Sequence, residues 1–121
     1  MLIASCLNDD ELKDLSDIAT SLGMDTLVEV HDHEELNRAL KLDLPLLGIN
    51  NRNLLNFEVT LQTTIDLLSK ISDDKLVITE SGIKTRQDVE LMHQNNVFGF
   101  LIGEAFMRDR NPGQKLKEFF E

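Results

Sequence analysis

At 121 residues the chain is too short for a complete eight-unit βα barrel, which needs about 250, yet long enough for one domain that buries roughly two thirds of its unfolded surface. Twelve Lys and Arg against 22 Asp and Glu leave a net charge of −10, with no basic stripe to meet a phosphate backbone or an anionic membrane, so nucleic acid and membrane are excluded as partners. The composition, 41% hydrophobic and 28% charged, is that of an ordinary globular domain. Apolar runs such as Leu44 to Ile49 fall far short of the roughly 20 residues that span a bilayer. Met1-Leu2-Ile3 lacks the cationic start of a signal peptide, and the expected location is cytoplasmic. Cys6, the single cysteine, allows no internal disulfide, and its apolar neighbours predict a small core residue.

The elements follow one grammar from end to end. Leu2 to Leu7 reads as a strand, and the polar cluster Asn8-Asp9-Asp10 opens a helix with Leu12, Leu15, Ile18, Ala19 and Leu22 at helical spacing, ended by Gly23. Thr26 to Val30 is the second strand, and Asp32 with Glu35 reads as a capping box for a helix over Leu36, Ala39 and Leu40. Leu46 to Ile49 follows Pro45 as the third strand, then a polar loop from Asn50 to Asn53 and a helix from about Leu61 to Leu68. Leu76 to Thr79 is the fourth strand, and Thr85 with Asp88 caps a helix carrying Val89, Leu91 and Met92. Val97 to Ile102 is the fifth strand, and Pro112 starts a last helix with Leu116, Phe119 and Phe120. Five βα units in one domain, residues 1–121, predict an α/β fold with a parallel sheet. That sheet is either part of a barrel or an open, doubly wound flavodoxin-like one.

In both architectures ligands collect beyond the carboxyl ends of the strands. Those ends carry Ser5 and Cys6, Glu29 with His31 and Asp32, Asn50-Asn51-Arg52, Glu80-Ser81-Gly82, and Gly103-Glu104. Glu29 sits inside the apolar run Leu27 to Val30, where a carboxylate must find a partner or change protonation; it is either a base facing a cavity or a solvated edge residue. Glu80 raises the same choice on another strand. Gly82 and Gly103 suit backbone cradles for an anion, as loops after the last strands of a βα barrel often are, or are plain turn formers. Arg52 offers a planar fork to an anion or a surface ion pair, and Asn50 sits where a ligand could be hydrogen-bonded. His31, His33 and His93 lack metal-ligand spacing and read as surface or capping residues, so no metal is expected.

The strings Leu27-Val28-Glu29-Val30-His31-Asp32, Gly48-Ile49-Asn50-Asn51-Arg52-Asn53-Leu54, Thr79-Glu80-Ser81-Gly82-Ile83 and Phe100-Leu101-Ile102-Gly103-Glu104, with Met107-Arg108, resemble indole-3-glycerol-phosphate synthase in order and spacing. The resemblance covers nearly the whole chain. It implies a carboxy-lyase of tryptophan biosynthesis that closes the pyrrole ring of 1-(2-carboxyphenylamino)-1-deoxyribulose 5-phosphate with loss of carbon dioxide and water, using no cofactor or metal. It implies a partial TIM (βα)8 barrel running from strand 4 to helix 8. Glu29 matches a catalytic carboxylate, Glu80 a second one and Asn50 a catalytic-site amide; Arg52, Leu54 and Ser81 match substrate-binding positions, and Gly82, Gly103 and Glu104 the phosphate side. Where some relatives have serine, this chain has Glu104, which removes a hydroxyl contact.

The family's catalytic lysines and an early glutamate lie in strands outside these 121 residues. Lys13, Lys41, Lys70, Lys75, Lys84, Lys115 and Lys117 all read as helix or connection residues. Loss of a general acid typically costs about 10² to 10⁴ in rate, so the chain alone is expected to be inactive or nearly so. The expected partners are the phosphorylated substrate and, at the open sheet edges, the absent half of the barrel or a second copy forming a dimerised half-barrel. The competing reading is a non-catalytic five-stranded flavodoxin-like binding or scaffold module. Against its receiver form, Asn50 and Gly103 stand where an aspartate and a lysine belong.

Overall fold

A computed structural model describes all 121 residues. Its strands are β1 (Leu2–Ile3), β2 (Leu27–Val30), β3 (Leu46–Asn50), β4 (Leu76–Glu80) and β5 (Gly99–Leu101). Its helices are α1 (Asp9–Ser21), α2 (His33–Leu40), α3 (Gln62–Leu68), α4 (Arg86–Gln94), α5 (Glu104–Met107) and α6 (Pro112–Phe120). The strands are all parallel and lie in the order β1-β2-β3-β4-β5, with Val28 opposite Leu47, Leu47 opposite Val77, and Thr79 opposite Phe100.

That order decides between the two architectures. A doubly wound sheet reverses direction at a switch point, whereas a run of right-handed crossovers to the next neighbour lays every helix on one face. The flavodoxin-like alternative is therefore wrong in topology: the sheet is open, but it is wound as an arc of a barrel. Side-chain alternation agrees. Val28, Val30, Leu47 and Ile49 pack beneath the helices with Leu12, Leu36, Ala39 and Leu67, and a second cluster gathers Ile83, Val89, Met92, Val97 and Phe119. Val77 packs against both. The other face of the same strands carries Leu27 and Glu29, Leu46, Gly48 and Asn50, Leu76, Ile78 and Glu80, then Leu101.

The caps show how local sequence sets the helix starts. Asn8 and Glu11 form a reciprocal capping box, and so do Thr85 and Asp88. Asp32 accepts from the Glu35 N–H as expected, but the Glu35 carboxylate reaches past Asp32 to His31, so the predicted reciprocal box does not close there. Strand β1 stops at Ile3 because the chain tightens into a 3₁₀ turn over Ala4–Cys6. The turn is tied to α1 and α2 by Arg38, which donates to the carbonyls of Ala4 and Leu7 and to Asp9 Oδ1. Ala4 takes the core position and Cys6 is exposed, contrary to the expectation of a buried thiol.

Candidate active site

Glu29 and Glu80 are both buried, at 4% and 3% exposure, on the helix-free face of the sheet. Register places Asn50 beside Glu80 and Gly48 beside Glu29. Gly48 makes the meeting possible: a Cβ there would lie 2.1 Å from Glu80 Oε1, so only a bare backbone lets the Glu80 carboxyl fold back across β3 toward Glu29. Asn50 Nδ2 donates to Glu29 Oε1 at 3.1 Å, while Asn50 Oδ1 accepts the Arg52 N–H at 3.0 Å. Glu80 Oε1 has no hydrogen-bond partner. Burial, and then the neighbouring Glu29 carboxylate, push the Glu80 carboxyl from its ordinary value near 4.5 up to about 8. At neutral pH the coupled pair thus retains a proton.

His31 joins this cluster from the other side. Its Nε2 lies 3.1 Å from Glu29 Oε1, close but too poorly aligned to count as a hydrogen bond. Its Nδ1 is 2.9 Å from Glu35 Oε2, which also accepts the His31 backbone N–H at 2.8 Å. A cavity of about 470 Å³ opens onto His31, Glu35, Asn50, Arg52 and Leu54. The expectation that His31 is a surface or capping residue is corrected here; His33 and His93 are exposed, as expected. No group of three or more His, Cys, Asp or Glu side chains is arranged to hold a metal ion.

The larger cavity, about 830 Å³, lies over the ends of β4 and β5. Glu80, Ser81, Gly82, Gly103 and Glu104 line it together with Arg52, Lys84, Arg108 and Lys115. Lys84 and Lys115 are connection and helix residues, as expected, but the β4–α4 loop and the start of α6 bring them to this cavity. Ser81 and Gly82 both take positive φ, 64° and 86°. At Gly82 a Cβ would meet Val59 Cγ1 at 2.9 Å, so glycine is needed for space as well as for conformation. Glu104 is bridged by Arg52 at 2.9 Å and Arg108 at 3.0 Å. All three side chains are substantially exposed, which keeps the pairs weak and exchangeable.

Against this geometry, relatives can be set. The family model described as indole-3-glycerol phosphate synthase matches residues 1–119. The chain belongs to that family. An indole-3-glycerol phosphate synthase of Variovorax paradoxus (strain S110) is 56% identical over all 121 residues, which make up 46% of that relative. The chain thus spans about half the length of the curated synthase it matches. Among solved structures, a chain of the Amycolatopsis orientalis BexX/CysO complex superposes with a TM-score of 0.68 at 14% identity, covering 93% of this chain and 46% of that one. The N-acetylmannosamine-6-phosphate 2-epimerase of Clostridium perfringens gives 0.64 at 18% identity, covering 90% and 47%. Likeness at such low identity speaks for the fold alone, an α/β arc of barrel type.

Within this synthase-family chain, the residues singled out from sequence divide between two openings that share Arg52. Glu80, Arg52, Ser81, Gly82, Gly103 and Glu104 border the larger one, while Asn50, Arg52 and Leu54 border the smaller, with Glu29 walled between them by Asn50, His31 and Glu80. Three positions escaped the sequence reading: His31, Glu35 and Gly48. The signal for Gly48 was a glycine inside a strand, opposite a buried glutamate.

Proposed function

We propose that the chain supplies the carboxyl-end face of an indole-3-glycerol phosphate synthase site, closing the pyrrole ring of 1-(2-carboxyphenylamino)-1-deoxyribulose 5-phosphate in tryptophan biosynthesis. The observation that carries this reading is the Glu29–Glu80 pair, brought together over Gly48, with Glu80 pushed up to about 8. The ring carbon bearing the carboxylate attacks the ketone, whose oxygen takes a proton. Carbon dioxide then leaves, the new hydroxyl departs as water, and a base removes the last proton to give the indole. Two proton donations and one abstraction are needed. Glu80, protonated at neutral pH, is a donor at hand, and Glu29, fixed by Asn50, is the acceptor.

The stronger donors, the family's lysines, are left to the preceding strands. The phosphate is assigned to the 830 Å³ cavity, where Lys84, Arg52 and Arg108 stand beside the Ser81-Gly82 and Gly103 backbone, Glu104 releasing its arginines as the anion arrives. Leu54 forms apolar wall toward the aryl ring.

Two apolar margins support a partner for the arc. Leu15 and Ile18 of α1, with Leu22 and Met24 just beyond it, are exposed on the β1 side, and Phe98, Leu101, Leu116 and Phe120 on the β5 side. The absent half of the barrel is the occupant proposed, with a second copy as the alternative tested by light scattering. Mixing this chain with a family N-terminal half and measuring indole-glycerol phosphate is the decisive assay. The reading expects turnover in the mixture and little from the chain alone; turnover unaffected by Glu29→Gln would refute it.

A further inference from the structure

His31 is a half-buried titratable side chain in contact with Glu29 to which that mechanism gives no role. Its two ring nitrogens face different carboxylates: Nδ1 is 2.9 Å from Glu35 Oε2 and Nε2 is 3.1 Å from Glu29 Oε1. Glu35 is itself doubly anchored, because its Oε2 also accepts the His31 backbone N–H. An ionised Glu35 can only accept, so Nδ1 must carry hydrogen. Nε2 then faces the Glu29 carboxylate oxygen that also receives Asn50 Nδ2, which sets a bare ring nitrogen where it can take up a proton that Glu29 has abstracted.

We propose that His31 is a positioning residue that acts through Glu29, its ring locked by Glu35 in the tautomer that shares a proton with Glu29 and returns that proton to solvent after each turnover. Side-chain exposure rises along this line, from 5% at Glu29 to 13% at His31 and 15% at Glu35, and the 470 Å³ cavity opens on its outer end. The proton moves from Glu29 Oε1 to Nε2 while Nδ1 keeps its hydrogen on Glu35, giving an imidazolium between two carboxylates; Nε2 then releases the proton to water, so the ring returns to its starting tautomer with charge and protons balanced. The charged groups facing the ring are Glu29 from β2 and Glu35 from α2, with Glu80 from β4 against Glu29 and Asp32 and Arg52 on the rim of the same cavity.

This inference rests on Glu29 being the base of the proposed reaction, and its test separates the two. Imidazole ¹⁵N spectra of the chain report each ring nitrogen without any turnover. The expected result is His31 held as the Nδ1–H form, that preference lost in Glu35→Gln and the Nε2 resonance displaced in Glu29→Gln, with His33 and His93 unchanged. Wild-type His31 found as the Nε2–H tautomer with a bare Nδ1, or averaging freely between tautomers, overturns the proposal even if both variants fail to fold. In the enzyme reconstituted with the N-terminal half, His31→Gln is expected to lower kcat about tenfold and move the acid limb of its pH profile, with KM within twofold. An equal loss at every pH makes His31 merely structural and contradicts the relay. Full activity in Glu29→Gln with the wild-type tautomer intact overturns the function and leaves the contact standing.

Discussion

Strands β3 and β4 carry a buried polar cluster on each face, and the two differ in satisfaction. Under the helices, Asn51 is 1% exposed and uses every polar group it has. Its Nδ2 donates to Thr79 Oγ1 at 2.8 Å and to the Ser81 carbonyl at 3.0 Å, and its Oδ1 accepts from the Thr64 N–H and hydroxyl. Its backbone N–H and carbonyl bond to Glu80 and Thr60. On the opposite face, Glu80 Oε1 has no partner, His31 Nε2 is close to Glu29 but misaligned, and two carboxyl groups share a low-dielectric space. A saturated network fixes one geometry; an unsaturated one stores a proton and leaves valences for a ligand. The ends of β3 and β4 thus serve stability on one side and chemistry on the other. The Asn51 bond to the Ser81 carbonyl also links them, since it holds Ser81 at its positive φ where the phosphate loop begins.

Substitutions on the two faces should separate activity from stability. Glu29→Gln has the largest expected effect on catalysis, a loss of about 10² to 10⁴ in kcat of the reconstituted enzyme with its urea midpoint nearly unchanged. Gly48→Ala comes next. Its methyl group drives Glu80 off Glu29 while clashing mainly with the tip of a flexible side chain, so kcat should fall on the order of 10²-fold, with only a modest loss of stability. Asn51→Ala acts in the opposite sense. Leaving the buried Thr64 N–H unpaired, and the hydroxyls of Thr64 and Thr79 with only each other, should cost about 3 kcal/mol in urea unfolding. A loss below about 1 kcal/mol would break the contrast.

The pH dependence comes from Glu80. Because its folded value is raised above the ordinary one, the folded state binds more protons than the unfolded state between about 4.5 and about 8. Stability therefore falls as pH rises through that window, and Glu80→Gln should flatten the decline and be the more stable form at pH 8. The smallest effect belongs to Glu104→Gln. Its exposed pairs with Arg52 and Arg108 should change stability by less than about 1 kcal/mol, while freeing the arginines should tighten inorganic phosphate binding measured by calorimetry.

Sequence reading went furthest where one residue determines its own neighbourhood. Asn8, Thr85 and Pro112 announce helix starts through local capping chemistry, and all three helices begin there. Strand positions were legible from apolar runs, with β1 and β5 shorter than those runs suggest: the first ends in a 3₁₀ turn, and the second keeps only three paired residues. Glu29 and Glu80 were visible because a carboxylate in an apolar strand demands a partner. What partnered them was not visible. Glu35 looked like half of a capping box, and its turn toward His31 instead of the Asp32 N–H depends on a side-chain choice between two nearby donors. Gly48 became meaningful only once register set it beside Glu29 and the Glu80 side chain lay across it. Strand order was likewise undecided, since five βα units are compatible with either winding.

The account stands on a proton held between two buried carboxyl groups at the strand ends. Carboxyl ¹³C titration of Glu80 in this chain tests that directly. The expected result is a midpoint near 8 that drops when Glu29 is replaced by Gln. A midpoint in the ordinary carboxylate range, indifferent to Glu29, would contradict it.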